Sequence, residues 1–424
     1  MPKNRTEGPR TSSQSEGSRP LLRRMGPLLL TLYGLSVTIG AGVYVLIGDV
    51  VARAGIHAPM AFLAAGVLVA LSAASYAEMV SRYPVSAGEA AYVRHGFGMV
   101  WLSLSVGLIV CATGVVSSAA LLRGGAGYIQ EFVTAPAWQI QVVCAVGIGG
   151  IAVWGISQTA WTAALLAVAE IGVLLALSVA GFSDPAAIAR SASAAFTLPE
   201  SGYVLGVSSA TLLAFFAFIG FEDMVNVAEE VKQPESTIPM AIGATLIITT
   251  ILYVLVVLVA MSHVPAADLI ASKAPLSLLS ERLLDLDSRV ISMVAVLAVL
   301  NGVLVQVVMA SRVLFGLSRM GALPSLFGDV SGTTRTPIKA TLFAMLIVIV
   351  LSLSTATASL ADFTSSLTLV VFAIVNLALW RLKRHDDGLQ PKFRVAGWVP
   401  ILGFLSAAAF LVFEWTSRIA SLVN

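Results

Sequence analysis

Apolar residues in this chain are gathered into long runs rather than alternated with polar ones. A helical run of about 20 apolar residues can cross a bilayer core of roughly 30 Å. Such runs recur from residue 27 nearly to the end, and they predict eleven spans. These are 27–53, 58–81, 98–122, 137–155, 159–182, 203–231, 238–262, 288–318, 338–357, 361–381 and 399–417. Ahead of them, residues 1–24 (MPKNRTEGPRTSSQSEGSRPLLRR) are rich in Ser, Arg, Gly and Pro, which predicts a disordered cytoplasmic tail. Its basic end followed by an apolar run imitates a secretory signal. The run continues too far, however, and has no small-x-small cleavage site, so it reads as the first membrane helix. Residues 25–424 then form a single membrane domain.

Composition excludes a soluble fold. Hydrophobic residues make up 58% of the chain and charged ones 11%, with a mean hydropathy of +0.91. A soluble domain carries roughly 25% charged residues and could not cover its surface with so few. The net charge of +2 says little about partners. Basic residues gather at helix ends, where they suit anionic lipid headgroups, and nothing in them points to nucleic acid. With the N-terminus inside, eighteen of the 25 Lys and Arg fall on the cytoplasmic side, as the positive-inside rule requires. An odd number of spans then puts the C-terminus outside. Cys111 and Cys144 lie within apolar runs and read as small core residues. His57, His95, His263 and His385 all fall in loops, which disfavours a haem protein or an intramembrane metal enzyme.

Two spans carry a break. The first contains Thr38-Ile39-Gly40-Ala41-Gly42 near its middle. Each glycine weakens a helix by roughly 1 kcal/mol relative to Ala, and non-helical backbone inside a bilayer survives only against protein or a water-filled cavity. Close helix packing would explain the same glycines, so this motif alone does not decide. The sixth span reads Phe215-Phe216-Ala217-Phe218-Ile219-Gly220-Phe221-Glu222-Asp223. A carboxylate at mid-membrane costs at least about 2.5 kcal/mol, so two in succession imply a polar cavity or an interrupted helix. Breaks five spans apart are the mark of an inverted-repeat transporter with its site at the midplane.

Several motifs fall in order on these spans. They are Gly40-Ala41-Gly42-Val43-Tyr44-Val45 on the first, then Ser75-Tyr76-Ala77-Glu78, Arg82-Tyr83-Pro84 and Ala87-Gly88-Glu89 on the second and the loop after it. Phe218-Ile219-Gly220-Phe221-Glu222 and the run from Glu229 to Ile238-Pro239 mark the sixth and its exit. Ala310-Ser311-Arg312-Val313-Leu314, Gly321-Ala322-Leu323-Pro324 and Arg335-Thr336-Pro337 mark the eighth and its loop. In these the chain resembles the amino acid permeases of the amino acid–polyamine–organocation superfamily, from residue 27 to about 400.

The resemblance implies an all-α membrane protein of LeuT-like fold, a 5+5 inverted repeat with helices 1 and 6 broken. Repeat one would run about 27–182, repeat two about 203–384, with an extra helix at about 399–417. It implies that a substrate carboxylate meets backbone N–H groups around Ile39, Gly40, Ala41 and Gly42, because a half-helix N-terminus attracts anions. The substrate ammonium would meet unwound carbonyls around Ala217, Phe218 and Ile219, with Phe216 as an aromatic gate. The chain departs from the family in two ways. Many relatives have twelve helices, against eleven here. Some proton-coupled relatives carry a lysine on the fifth helix, where this chain has Glu170. This departure leaves the family's coupling ion open for this chain; the proton is the expectation, with sodium as the alternative.

Other polar residues are weighed singly. Glu170 is the deepest isolated carboxylate and suits a proton carrier, although a neutral structural acid would look the same. Glu222 lies just past the sixth-span break, fitting either coupling or helix capping, and Asp223 reads as structural. Asn301 on the eighth span faces the site or bonds a neighbouring helix, as Gln306 could. Glu78 and Arg82 read as a solvated helix end, and Glu229-Glu230 with Lys232 as a solvated loop.

A secondary transporter for amino acids accounts for these features. An amino acid exchanger and a polyamine or organic-amine carrier are its nearest rivals. A channel would be an oligomer around a pore lined by repeated rings, and the sequence has no filter-like repeat. A membrane enzyme is disfavoured by the lack of HExxH, of a P-loop and of an intramembrane histidine, and the missing P-loop also excludes an ATP-driven pump encoded in this chain. No cofactor is implied beyond the coupling ion. Light-chain relatives bond a partner through an extracellular cysteine before the fourth helix; this chain has none there, so a disulfide-linked partner is not expected. The sequence leaves the oligomeric state open.

Overall fold

In lipid each backbone polar group must be satisfied within its own segment, so long apolar runs fold as helices. The structure, a computed structural model, describes residues 23, 25–40, 42–85, 88–154, 160–199, 201–285, 287–319, 323–331, 334, 336–385 and 389–423. The tail expected at 1–24 and the predicted site residue Ala41 thus lie outside the described residues, save Arg23. Among the described residues, eight helical stretches are long and apolar enough to cross a membrane. Pro27–Ile39, Tyr203–Phe216 and Ile338–Ser354 are shorter apolar helices.

The first span is split into α1 (Pro27–Ile39) and α2 (Gly42–Ala54). A 3-10 turn, Gly55–His57, leads into α3 (Ala58–Arg82), the second span. A helix too short to span, α4 (Gly88–Phe97), precedes α5 (Val100–Ile129), α6 (Ala137–Trp154) and α7 (Ala160–Gly181), the third to fifth spans. After a capping helix, α8 (Pro185–Ala195), the sixth span opens as α9 (Ser201–Phe216). It passes through turns at 217–222 and ends in a single helical turn, α10 (Asp223–Asn226). Then come α11 (Pro234–His263), the short α12 (Ala266–Ala271) and α13 (Pro275–Leu284), and α14 (Ser288–Arg319). The last spans are α15 (Ile338–Ser354), α16 (Thr357–Arg384) and α17 (Val399–Val423). Among the described residues this gives the eleven spans expected, with both breaks in place. The second half of the sixth span, expected to run to residue 231, is mostly turns past its break.

The broken spans sit in the centre. α1 packs on α7 and α11, α2 on α9, and α3 on α9 and α11, while α5 packs on α14 and α16. The lipid-facing residues of the outer helices are large and apolar, among them Leu165, Val179, Leu346 and Leu405. Ahead of α1, Met25 and Val231 form an isolated parallel bridge: Met25 N–H donates to Glu230 O at 3.1 Å, and Lys232 N–H to Met25 O at 2.9 Å. The entry to the first span is thereby tied to the exit of the sixth.

One expectation is overturned here. Glu78 and Arg82 are not a solvated helix end. Both are buried, and Glu78 Oε1 accepts from Arg82 Nη2 at 2.8 Å. Lys383 Nζ lies 2.6 Å from Glu78 Oε2, which also accepts from Val395 N–H at 2.8 Å. Phe393 N–H donates to Ser81 Oγ at 3.0 Å. The segment after α16 folds back over the end of α3 and excludes water from it, a long-range contact invisible along the second span.

Candidate functional site

The two breaks are built against each other. α1 ends at Ile39, and Gly40 takes φ +23°, a backbone conformation that L side chains rarely adopt. In the sixth span Gly220 takes φ +126°. A Cβ on Gly42 would lie 2.7 Å from Ala217 Cα, and one on Gly220 2.8 Å from Val37 O. Each broken span thus presents a glycine to the backbone of the other. The space at Gly42 belongs to Ala217, so this glycine is required for the contact between breaks.

Breaking a helix leaves orphaned backbone groups. Tyr253 on α11 meets several: its hydroxyl lies 3.0 Å from Thr38 O, 3.2 Å from Ile39 O and 2.9 Å from Ala217 O. One hydroxyl donates one proton, so it serves these carbonyls in turn and holds the breaks in register. Its ring packs edge-on against Phe62 and Phe218. The amides opening α2 lie where a helix dipole is positive and the carbonyls closing α9 where it is negative; those of Ala214, Phe215 and Phe216 accept from Ala217, Phe218 and Ile219 N–H at 3.0, 3.0 and 3.2 Å, and each keeps a second lone pair for a further donor.

These ends border a central cavity lined by Thr38, Gly40, Gly42, Phe216, Ile219 and Asn301, with Ser117 of α5 and Gln306 of α14 completing its polar wall. It measures about 30 Å³ as room for the centres of water-sized molecules, enough for about two or three such groups. Thr38 Oγ1 is buried without a hydrogen-bond partner. Asn301 Nδ2 donates to Ser36 Oγ at 3.5 Å, so it both lines the cavity and ties α14 to α1. Of the residues expected at the site, Gly40, Gly42, Phe216, Ile219 and Asn301 come together here. Ile39, Ala217 and Phe218 stand behind them around Tyr253.

Glu170 and Glu222 occupy separate places. Glu170 on α7 is buried, and both its carboxylate oxygens lack a hydrogen-bond partner. Its backbone carbonyl accepts from the Tyr44 hydroxyl at 3.4 Å, one turn into α2. Glu222 turns back across the sixth-span break, where Oε2 accepts from Gly220 N–H at 2.9 Å. It also lines a second cavity beside the first, together with Glu89, Asp223 and Tyr76.

Sequence reasoning missed Tyr253 and Ser117 as site residues, because a hydroxyl on a regular apolar helix carries no local signal, and it read Thr38 only as part of the break. It also missed the outer contact in which Arg53, at the end of α2, grips Asp362 of α16.

A family model for amino acid permeases matches residues 30–417. Cationic amino acid transporter 2, vacuolar, of Arabidopsis thaliana is 29% identical over 402 residues, covering 90% of this chain and 62% of that protein. Branched-chain amino acid permease BcaP of Bacillus subtilis (strain 168) is 27% identical, covering 96% of this chain and 92% of that protein. The methylthioribose transporter of the same organism is 26% identical, covering 96% and 91%. This chain spans 60 to 65% of the length of the three plant transporters it matches.

Proposed function

This chain belongs to the amino acid permease family, and we propose that it carries amino acids across its membrane by alternating access, coupled to protons. The observation that carries this reading is the pairing of opposite helix ends at one cavity. The amides opening α2 suit a carboxylate, and the carbonyls closing α9 suit an ammonium. An α-amino acid brings both groups on one carbon. A polyamine lacks the anion and leaves half of the arrangement unused, and a sugar lacks both charges and leaves all of it unused. The tie between Met25 and Val231 supports alternating access, since it couples the inner ends of the two broken spans.

Glu170 is the coupling residue in this reading. A carboxylate buried without a partner is costly, and a proton removes the charge. Opening the site to water on one side then favours release, so protonation follows the conformational cycle. Sodium bound by the same carboxylate is the alternative, and exchange between two amino acids is a third mode. The bias of Lys and Arg puts the N-terminus in the cytoplasm, in a plasma or inner membrane.

Uptake into proteoliposomes tests the proposal with a panel of labelled amino acids, with putrescine and a thiosugar as controls. Accumulation of an amino acid driven by an alkaline interior, without sodium, is expected. Strict sodium dependence refutes proton coupling, and transport of putrescine alone refutes the substrate class.

A further inference from the structure

The C-terminal ends of α4 and α16 are joined. Gly96 of α4 lies so close to α16 that a Cβ on it would sit 2.6 Å from Ala378 Cβ. Beside that contact the Arg381 guanidinium lies over the Phe97 ring, 5.7 Å from its centroid. Arg384, one turn further along α16, lies over the Trp380 ring at 4.4 Å. Arg94 stands one turn before Phe97 on the same face of α4. All three arginines are exposed, and among the described residues no carboxylate pairs with any of them. Asp386 and Asp387 follow in the sequence, outside the described residues. Set against the three arginines, they leave the patch positive. The neighbouring basic groups are already engaged: His95 stacks on Tyr83, and Lys383 turns inward to Glu78.

This patch lies where hydrocarbon gives way to water. α16 is a membrane span that ends at Arg384, and α4 is too short to span. At the start of α5, Met99, Val100 and Trp101 are exposed, Trp101 by 64%. Large apolar side chains at a span end face lipid, and tryptophan settles at headgroup level. A guanidinium over a ring spends its face there and keeps its in-plane N–H groups for an anion. Its fork of donors matches the oxygens of a phosphate.

We propose that the joined ends of α4 and α16 seat the phosphate of an anionic phospholipid, with its acyl chains against Met99, Val100 and Trp101. An anion among three like charges relieves their repulsion. A choline headgroup carries its own cation to the same place and gains less. A soluble phosphate leaves the apolar side unused, and so does an acidic protein segment. α4 also packs on α10, the last turn of the sixth span. A lipid that clamps α4 to α16 therefore steadies the structure behind the second break. The inference concerns the bilayer rather than the solute, so it stands apart from the amino acid reading and is measured by binding alone.

The test uses the purified, delipidated full chain in detergent. Phosphatidylglycerol, phosphatidylcholine, glycerol 1-phosphate and an oligoglutamate peptide are titrated separately. Bound adducts are counted by native mass spectrometry, and melting temperature is followed in parallel. Phosphatidylglycerol is expected to bind more tightly than phosphatidylcholine and to raise the melting temperature. Arg381→Gln and Arg94→Gln should each weaken phosphatidylglycerol about 5-fold, the worth of one arginine beside a charged headgroup. They should leave phosphatidylcholine unchanged. Arg312→Gln, an exposed arginine on α14, should change neither lipid. If Arg381→Gln fails to fold, Arg94→Gln carries the same comparison. Equal binding of the two phospholipids overturns the proposal. So does an equal loss in Arg312→Gln, which would mean a diffuse field rather than a seat. Glycerol 1-phosphate binding as tightly as phosphatidylglycerol would make this a site for soluble anions, and tighter binding of oligoglutamate a protein contact; either result overturns the lipid assignment.

Discussion

The Arg53 guanidinium holds both carboxylate oxygens of Asp362, at 2.9 and 2.7 Å. It also reaches Ser209, 3.1 Å from Oγ and 3.3 Å from the carbonyl. One side chain thus joins the end of α2 to α16 and to α9, the ends that would part on the outside in the alternating access proposed above.

A two-pronged, charge-assisted pair of this kind, with side chains 24% and 14% exposed, is worth about 1–3 kcal/mol. Asp362→Asn should therefore shift the protein toward an outward-open state by roughly 5-fold to 150-fold. The readout is labelling of a Val305→Cys probe in the central cavity by a membrane-impermeant thiol reagent, with Cys111 and Cys144 replaced. Faster labelling from outside is expected, and a double charge swap at 53 and 362 should slow it again. An unchanged labelling rate would remove the gate role from this pair.

Tyr253→Phe keeps the ring against Phe62 and Phe218 and removes only the hydroxyl shared by Thr38, Ile39 and Ala217. Leaving buried carbonyls unserved costs about 1–3 kcal/mol. Uptake should fall at least 10-fold and the melting temperature in detergent should drop by a few degrees. Wild-type transport by Tyr253→Phe would show that the register of the breaks does not depend on it.

Gly42→Ala should abolish uptake while leaving insertion intact, since its Cβ would meet Ala217 Cα at 2.7 Å. The nearest atom is backbone, so adding Ala217→Gly should not restore activity. Recovery in that double variant would mean that side-chain crowding, rather than approach of the two backbones, explains the glycine.

Glu170→Gln should retain substrate binding and lose the response to a pH gradient, because the amide preserves shape and cannot exchange a proton. Counterflow under equal pH should continue. If uptake by this variant still follows the gradient, the coupling proton is carried elsewhere, with Glu222 next to be tested.

Glu89 lies outside the spans, and burial pushes its carboxyl up from 4.5 to about 7, partly offset by its own backbone N–H and by Tyr76. Tyr76, Tyr92, Glu222 and Asp223 surround it, and none brings a positive charge. A raised carboxylate pKa means the folded state holds the proton more tightly, so this group's contribution to stability falls as pH rises from about 4.5 through 7. Above that the penalty is constant, at most about 3 kcal/mol. Melting temperatures between pH 5 and 8 should therefore fall less steeply for Glu89→Gln than for the wild type. A steeper fall would reverse the sign of the argument.

The spans were legible in the sequence because bilayer thickness sets a length and excludes charge, and both constraints act on contiguous residues. The breaks were legible for a related reason: Gly40 and Gly42, and Gly220 followed by Glu222 and Asp223, violate those constraints locally. Tertiary structure alone decided which neighbours those residues meet. Gly42 faces Ala217 because two distant spans cross at their breaks, and Tyr253 became a site residue because α11 passes behind both. Glu78 looked solvated from its own helix, until Lys383 and the segment around Val395 closed over it from more than three hundred residues away. A sequence states what each segment needs from its surroundings; which partner supplies it depends on contacts separated by as many as 317 residues, and these exist only once the chain has packed.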